Sequence, residues 1–349
     1  MDIGLNVSQT KKVKNRRKGK QQQMPAKVSA ARPDGYDIYP YHSLGDNKII
    51  TGYHSLSKWI TGQKFVAIDG YIGVFWTDVK QCLEQEFDKL GLSVTWIDTT
   101  GYLKAATVVQ EMVAPYLGAP NSVWGTRAAL SIGDFYKAEH KARPDRDTDL
   151  TIVIGCAAHI LAPDAHLIYF DLPKNELQLR MRAASITNLG NPVAESPSEM
   201  YKRFYFVDWV VLNQYKKSLM GKMEVIADAQ WEHRVNWIKA GDLKAGLQQL
   251  GQTAFRVRPW FEPGAWGGEW IKNNIEGINK NEVNYAWSFE LIVPENGIVF
   301  ESGGNLLEVS FDMLMFSQRA AILGKYAERF GDEFPIRFDF LDTVEGGNL

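Results

Sequence analysis

The chain has 349 residues, of which 45% are hydrophobic and 12% aromatic; it is long enough for about two domains with buried cores, and a wholly disordered chain is excluded. No apolar run approaches the roughly 18 residues of a membrane span, and the first residues lack the apolar stretch of a signal peptide. We therefore expect a cytoplasmic protein without a membrane partner. Its two cysteines, Cys82 and Cys156, are far apart, which argues against a disulfide scaffold.

The formal net charge of −2 hides an uneven distribution along the chain. Residues 1–32 contain nine lysines and arginines and one acidic residue, whereas the remainder contains 30 basic and 40 acidic residues. We predict that residues 1–35 form a disordered basic tail. Such a tail is either solvated without a specific partner or contacts nucleic acid or another acidic surface, and we expect nucleic-acid contact nowhere else in the chain.

Residues 36–250 alternate short apolar strands with amphipathic helices, which predicts an α/β domain with a doubly wound parallel sheet. Two of the predicted strands, residues 150–155 and 167–171, are continuous in apolar residues, as in a parallel sheet that is covered on both faces. The predicted strands are residues 64–69, 92–98, 150–155, 167–171 and 223–227. The predicted helices are residues 77–90, 108–117, 175–184, 197–220 and 242–250.

The junction of the first predicted strand and helix has the setting of a phosphate-binding loop, because a helix N-terminus attracts anions. The pattern GxxxxGK[ST] would begin at Gly70 and end at Thr77. Phe75 stands in place of its second glycine and Trp76 in place of its lysine. We expect these two bulky side chains to fill the space where a phosphate would lie.

In the order of its elements, this domain resembles the uridine-kinase branch of the P-loop kinases. Asp98, at the end of the second predicted strand, takes the place of an acidic substrate or base residue, whereas Gly155 follows Ile154 where that branch has an acid. The run Asp171-Leu172-Pro173 and the two arginines after it resemble a lid that covers ATP phosphates. The resemblance implies the nucleotide-binding candidates Gly70, Gly73, Thr77, Asp98, Arg180 and Arg182.

A kinase needs a positioned cation, a metal-holding acid and a dry phosphate site together, and the sequence lacks the first two. Three interpretations remain open. The domain is an inert structural unit, it still binds a nucleotide or another phosphate-bearing ligand, or it catalyses phosphate transfer. We expect the first.

Residues 251–349 carry glycine, proline and asparagine turns between short extended segments, which predicts a β-rich domain. The predicted extended segments are residues 255–258, 287–293 and 297–300, and a helix is predicted over 310–317. This region contains neither histidine nor cysteine. All six histidines precede it, and because none has metal-ligand spacing we expect them to be surface or core residues.

Several motifs of this region occur in the order of the class I, zinc-dependent mannose-6-phosphate isomerases, which are cupins with a jelly-roll fold, and the region resembles that family. They are Trp266-Gly267-Gly268, the strand segment 284–290, Leu307-Glu308-Val309 at a helix entry, and the segment 330–335 followed by Leu341-Asp342. The sequence departs from the family at residues 291–294, which replace an S-x-H-P motif. We therefore predict that residues 251–349 are the N-terminal part of a cupin domain.

The resemblance implies that the complete protein interconverts mannose 6-phosphate and fructose 6-phosphate. Zinc would polarise the carbonyl group while a base moves a proton between C1 and C2. In the family a Q/K-x-His-Pro motif carries metal ligands just beyond the last matching segment, and this chain stops before it. We therefore expect a truncated form that binds no zinc and is inactive alone, and we name no catalytic base or metal ligand. A sugar phosphate is the expected partner of the complete protein.

The substrate-binding candidates in this region are Trp287, Glu290, Glu308 and Arg337. Trp287, like the neighbouring tryptophans at 260, 266 and 270, either packs in the barrel or offers a platform for a sugar. The two glutamates either line a substrate cavity or are solvated. The alternative function for the chain is a regulatory module that binds a nucleotide or another phosphate-bearing ligand at the altered loop.

Overall fold

The computed structural model describes residues 16–19, 23–26, 40–119, 125–137, 141–252, 276 and 297–310. Within these ranges the chain forms ten strands and eight α-helices. The strands are β1 His42–Ser43, β2 Ile49–Thr51, β3 Phe65–Gly70, β4 Val94–Asp98, β5 Leu150–Ile154, β6 His166–Asp171, β7 Val225–Asp228, β8 Asn236–Lys239, β9 Ile298–Ser302 and β10 Asn305–Val309. The helices are α1 Tyr53–Thr61, α2 Trp76–Lys89, α3 Ala106–Val113, α4 Ala158–Leu161, α5 Lys174–Arg182, α6 Pro197–Arg203, α7 Trp209–Leu219 and α8 Ala240–Leu250.

Seven strands form one mixed sheet in the order β2-β8-β7-β6-β3-β5-β4. The five strands from β4 to β7 are parallel to their neighbours, and β8 and β2 are added antiparallel at one edge. The chain runs from β3 to β4 and β5 on one side and then to β6 and β7 on the other. The carboxyl end of β3 therefore lies at a switch point of the topology, where ligands bind in open α/β sheets.

The burial of the strands explains why their sequences predicted a parallel sheet. Every residue of β3, β5 and β7 is buried, whereas the edge strand β4 is half-buried. Full burial requires cover on both faces and hence continuous apolar runs. The five strands predicted between residues 64 and 227 are confirmed, and the fold is of the mixed α/β class.

The helices follow the same logic of one apolar face. In α2 the buried residues Val79, Leu83 and Phe87 recur at intervals of four and belong to the apolar core. The predicted helix 197–220 is present, but a π-helical turn, Phe204–Asp208, separates α6 from α7. Such a turn re-aims the side chains that follow it and is frequent at functional sites.

The sequence did not predict β1, β2, α1 or β8, which are short or have few apolar residues in a row. The prediction of a strand at 297–300 is confirmed by β9. The predicted segments 255–258 and 287–293 lie outside the described residues, as does the predicted helix 310–317 apart from Ser310. No helix in the described part of the chain combines the length and the apolarity needed to cross a membrane.

The hairpin β9–β10 packs against the α/β domain, although its sequence lies in the region that we assigned to a second domain. Strand β9 pairs in parallel with β1, which precedes the α/β domain in the chain. Phe300 is fully buried and belongs to the same apolar cluster as the strands of the large sheet. Asn236 of β8 donates a hydrogen bond of 2.6 Å from Nδ2 to the Leu306 carbonyl oxygen. The hairpin and the domain therefore share one core.

Because the hairpin and the domain share one core, Phe300→Ala will destabilise the α/β domain as a whole. We expect a loss of about 3 to 5 kcal/mol in the free energy of unfolding, the usual cost of truncating a buried phenylalanine. Urea unfolding followed by the fluorescence of the domain tryptophans measures it, with the exposed Val193→Ala as control. An unchanged unfolding midpoint for Phe300→Ala would show that the hairpin is not part of the cooperative unit.

Candidate functional site

The loop from β3 to α2 passes so close to its neighbours that two of its glycines are required. A Cβ atom on Gly70 would clash with the Phe170 carbonyl oxygen and lie 2.9 Å from the Trp76 indole. Gly73 has a φ of +87°, and a Cβ atom there would clash with Leu177. The two glycine candidates therefore have a steric role in the loop, whatever the loop binds.

The Trp76 indole lies over the base of the loop. Its edge faces Gly70, and its ring centroid lies 6.1 Å from that of Phe170 in an edge-on contact. The backbone N–H group of Trp76 donates a hydrogen bond of 3.0 Å to the Val74 carbonyl oxygen. In a phosphate-binding loop such an N–H group would point at the ligand, whereas here it closes a turn within the loop.

Phe75 lies between two guanidinium groups. The central carbon of Arg180 is 4.3 Å from the ring centroid of Phe75, and that of Arg16 is 4.9 Å from it. Cations within about 6 Å of a ring centroid are attracted by the electron density of its face. The Phe75 ring thus attracts the two positively charged side chains that lie next to the loop.

Arg180 is 1% exposed and holds three parts of the domain together. Its Nη1 atom donates to the Gly73 carbonyl oxygen at 2.7 Å, and its Nη2 atom donates to the carbonyl oxygens of Ala229 at 2.9 Å and Gln230 at 3.0 Å. Its Nε atom is 3.2 Å from a carboxylate oxygen of Glu176. The lid role that the sequence suggested for Arg180 would require leaving these contacts. Arg182 is only partly buried and does not line the cavity described below.

Two short pieces of the basic N-terminal segment, residues 16–19 and 23–26, lie on the same side of the domain. Arg16 forms an ion pair with Asp78 in the first turn of α2, and its carbonyl oxygen accepts a hydrogen bond from Ser185. Arg17 pairs with Glu176 at 3.1 Å. These contacts place both a carboxylate and its counter-ion at the N-terminus of α2, where a phosphate-binding loop presents free N–H groups.

The peptide backbone of this segment is also attached to the domain. The Lys18 N–H group donates a hydrogen bond of 2.9 Å to the Leu179 carbonyl oxygen. Met24 is 4% exposed, and Gln23 donates a hydrogen bond to the Gln230 carbonyl oxygen. The described parts of the segment that we predicted to be a disordered tail thus make ordered contacts over the loop.

Beside the filled loop, a cavity of about 780 Å³ opens at the carboxyl edge of the parallel strands. Its walls come from the loop after β3, the turn after β4, two residues near β5 and the loop after α5. The last is formed by residues 185–192. Three of the predicted nucleotide-binding residues, Gly73, Thr77 and Asp98, line this cavity.

Asp98 caps the turn that follows β4. Its Oδ1 atom accepts hydrogen bonds from the Thr100 N–H group at 2.8 Å and from the Thr100 hydroxyl at 2.6 Å. Its other carboxylate oxygen is not engaged in a hydrogen bond with any described residue, so Asp98 keeps acceptor capacity at the cavity. The sequence placed this residue correctly at the end of its strand.

The wall formed by residues 185–192 is fixed from behind by Asp208 of the π-helical turn. Its Oδ2 atom accepts hydrogen bonds from Asn188 Nδ2 at 2.7 Å and from the Leu189 N–H group at 3.2 Å. Burial raises the pKa of Asp208, and the nearby Arg203 opposes this rise. Sequence analysis missed both Asn188 and Asp208, because nothing local marks a loop asparagine or a helical aspartate as partners.

Asp69, directly before the loop, is fully buried and organises the turn after β5. Its carboxylate accepts hydrogen bonds from the N–H groups of Gly70 at 2.7 Å, Ala157 at 2.9 Å and His159 at 2.9 Å, and from the Tyr215 hydroxyl at 2.5 Å. Burial raises its pKa to about 6, and the four hydrogen bonds act in the opposite direction. Sequence analysis missed Asp69, although an acidic residue near the end of an apolar strand indicates a buried carboxylate.

A second set of buried carboxylates lies where β6 and β7 end, and it holds the hairpin. Asp171 accepts two hydrogen bonds of 2.8 Å from the Lys216 ammonium and one of 2.6 Å from the Ser310 N–H group. Asp228 accepts a hydrogen bond of 2.9 Å from the Glu308 N–H group, and burial raises the pKa of Asp228 well above its ordinary value. The Lys216 ammonium also donates to the Ser310 carbonyl oxygen.

Glu308, a predicted substrate-binding residue, lies in strand β10 and not at a helix entry. It is 1% exposed and accepts hydrogen bonds from the Gly297 N–H group at 2.7 Å and from Gln230 Nε2 at 2.9 Å. The interpretation of Glu308 as a solvated carboxylate is therefore wrong, because the hairpin is buried against the loop after β7. The other three candidates, Trp287, Glu290 and Arg337, lie outside the described residues.

Comparison with known families gives one match. Residues 52–252 match the family described as Domain of unknown function (DUF8485). The chain belongs to this family. The DUF8485 match begins just after β2 and ends just after α8, so it covers the loop, the cavity and the five parallel strands of the large sheet. No curated protein matches the chain.

The described part of the DUF8485 chain offers no fit for zinc. Its histidines, cysteines and carboxylates nowhere form a group of three that could hold a metal ion. We therefore derive no metal-dependent step from these residues. The buried carboxylates described above are instead engaged by N–H groups, a hydroxyl and an ammonium.

Arg180→Met should destabilise the DUF8485 domain by about 3 to 5 kcal/mol, since removing one partner of a buried ion pair leaves the other charge uncompensated. Equilibrium urea unfolding measures the change. Arg182→Met, two residues away on the same helix and only partly buried, is the matched control and should cost less than about 1 kcal/mol. Equal effects for the two variants would contradict the role assigned to the Arg180 contacts.

One aspartate should titrate near pH 6 in the folded protein, because burial raises the pKa of Asp69 to about 6. The unfolded value is about 3.9, so the stabilising contribution of Asp69 is complete below about pH 4 and is lost as the pH rises to 6. Carboxyl ¹³C NMR shifts measured against pH test this prediction. Tyr215→Phe should raise the midpoint further, since the hydroxyl hydrogen bond lowers this pKa.

The control for this titration is Tyr71→Phe, which removes a hydroxyl that donates to Asn213 and not to Asp69. It should leave the midpoint near 6. An Asp69 midpoint below 4 in the unmodified chain would show that the hydrogen bonds outweigh burial.

Proposed function

We propose that the DUF8485 domain is a P-loop-kinase-like domain that no longer transfers phosphate and that supports the β-rich segment after it. Two features support the kinase-like ancestry. The sheet has its first parallel strand in the middle, and the loop that follows this strand leads directly into a helix. This is where the sequence resembles a phosphate-binding loop.

One observation supports the proposal that the domain no longer transfers phosphate. The Trp76 indole lies on Gly70 at the base of the loop, and the neighbouring Phe75 ring is clamped between Arg180 and Arg16. Phosphoryl transfer depends on positioned cations and N–H groups around the phosphates. Here Arg16 and Arg180 contact the Phe75 ring and pair with carboxylates. The backbone N–H group of Trp76 is hydrogen-bonded within the loop.

The supporting role rests on the contacts between the domain and the hairpin. Asp171, Asp228 and Lys216 lie at the carboxyl edge of the sheet or on α7, and all three bond to the backbone of residues 308–310. In a sheet of this topology the carboxyl edge is the usual ligand-binding edge. The domain thus uses part of that edge to hold residues 308–310 of the β-rich segment.

We further propose that the complete protein in which this chain occurs is a mannose-6-phosphate isomerase of the cupin type. The support is the ordered set of motifs between Trp266 and Asp342. Among the described residues only Leu307-Glu308-Val309 belongs to this set, and it forms a strand held by the DUF8485 domain. The alternative, a module that responds to nucleotides, finds less support because the loop is filled.

Thermal denaturation with nucleotides tests the loss of the phosphate site. A ligand that binds the folded state raises its stability by mass action, so about 10 mM Mg–ATP or Mg–UTP should leave the melting temperature unchanged, and no phosphate should be transferred to uridine. A melting temperature raised by several degrees, and raised less in Thr77→Val than in the control Thr61→Val, would contradict the proposal.

Assay of the complete protein tests the isomerase proposal separately. We expect conversion of mannose 6-phosphate to fructose 6-phosphate that is lost on chelation and regained with zinc. The absence of conversion by the zinc-supplemented, folded protein would contradict it, and would leave the proposal for the DUF8485 domain unaffected.

A further inference from the structure

We propose that the cavity beside the filled loop binds an uncharged, polyhydroxylated ring ligand, such as a sugar or a nucleoside. Its volume of about 780 Å³ lies within the range of small-molecule sites. The cavity borders the loop after β3, whose residues 72–77 form one of its walls. The inference stands whether or not the complete protein is an isomerase.

The walls of the cavity suit a ring with apolar faces. Phe75, Trp76 and Tyr136 contribute aromatic surface, and several aliphatic residues add to it. Sites for small organic ligands are mostly apolar, with a few polar groups that fix orientation. Tyr136 is held in place because its hydroxyl donates a hydrogen bond of 2.7 Å to the Cys156 carbonyl oxygen.

The polar groups of the cavity are hydroxyls, amides, one ammonium and one carboxylate. Asp98 has acceptor capacity beyond its bonds to Thr100. Asn188 lines the cavity and is 4% exposed, and no described residue donates a hydrogen bond to its Oδ1 atom. A buried acceptor without a donor costs about 1 to 3 kcal/mol. A ligand hydroxyl would donate instead to the Asp98 carboxylate oxygen that no described residue engages.

Two hydrogen bonds fix the orientation of the Asn188 side-chain amide. Its Nδ2 atom donates to the Met200 carbonyl oxygen at 3.1 Å and to Asp208 at 2.7 Å. Rotating the amide would place its carbonyl oxygen against these two acceptors. The Oδ1 atom therefore points away from these two acceptors, and it has almost no accessible surface.

The charge balance of the cavity argues against a phosphate ester. Among the lining residues only Asp98 and Lys104 carry charge, and they have opposite signs. Hydrogen bonds from Ser131 lower the pKa of Asp134, and the nearby Lys104 ammonium adds to this effect. A phosphate monoester carries a charge of about −1.5 to −2 at neutral pH, and this wall offers no cluster of cations for it.

Calorimetric titration of the full 349-residue chain with matched ligand pairs tests the inference. The pairs are mannose with mannose 6-phosphate, fructose with fructose 6-phosphate, and uridine with uridine monophosphate. Within each pair the ring hydroxyls are shared and only the phosphate differs. We expect one uncharged member to bind one to one and at least about tenfold more tightly than its phosphorylated partner, which corresponds to about 1.4 kcal/mol. The pair that responds identifies a sugar or a nucleoside as the source of the hydroxyls.

Two variant pairs locate the binding. Ala106→Phe places a ring on a residue of the cavity wall and should abolish binding, whereas Ala105→Phe alters the exposed neighbour that is outside the wall. Asp98→Asn should weaken binding about tenfold through loss of a charged acceptor, and Asp88→Asn, on the exposed side of α2, should not. Unfolding curves show that each variant is folded.

Three results would overturn the inference. The first is no binding by any uncharged member at about 10 mM, a concentration that detects even affinities weaker than millimolar. The second is tighter binding of the phosphorylated member in every pair that binds. The third is undiminished binding by the folded Ala106→Phe variant.

Discussion

The buried guanidinium of Arg180 is the contact on which the architecture of the site depends. It joins the loop after β3 to the loop after β7 through the carbonyl oxygens of Gly73, Ala229 and Gln230, while Glu176 supplies the counter-charge. Charge-assisted bonds of this kind are strong, but each requires the side chain to stay where it is. An arginine that is needed to close the protein in this way is not available to close over a ligand.

The aromatic pair in the loop depends on the same contact. With the Arg180 guanidinium 4.3 Å from the ring centroid of Phe75, the ring has a favourable place inside the loop. Arg16 approaches the ring as well and neutralises Asp78 at the start of α2. The positive end of a helix attracts phosphate in a working phosphate-binding loop. At the start of α2 this place is occupied by the Asp78 carboxylate and its partner Arg16.

The carboxyl edge of the sheet is consequently divided into two parts. On the side of β6 and β7, buried carboxylates and Lys216 hold the hairpin that contains Glu308. On the side of β4 and β5, the cavity remains open and is lined by Asp98 and Asn188. Open α/β sheets bind ligands along this edge. In this chain the β6–β7 part of the edge holds the hairpin, and the β4–β5 part stays accessible.

The sequence predicted the parallel strands well, because full burial imposes continuous apolar runs such as those of β3 and β5. Phe75 and Trp76 lie at the junction of β3 and α2, as the sequence predicted, and the interpretation of that loop as an altered phosphate-binding loop stays a prediction. The sequence could not place Arg180, because an arginine on a helix has the same local pattern whether it is exposed or buried. The docking of the hairpin on Asp171 depends on pairings across more than a hundred residues, for which one sequence contains no signal.

The most direct test of a filled and non-phosphorylating loop is a crystal structure determined after soaking with Mg–ATP. We expect the Trp76 indole to lie on Gly70, the Phe75 ring to lie against the Arg180 guanidinium, and no phosphate to occupy the loop. Electron density for phosphates along residues 70–77, with the indole turned outward and Arg180 contacting the nucleotide, would contradict this interpretation of the domain.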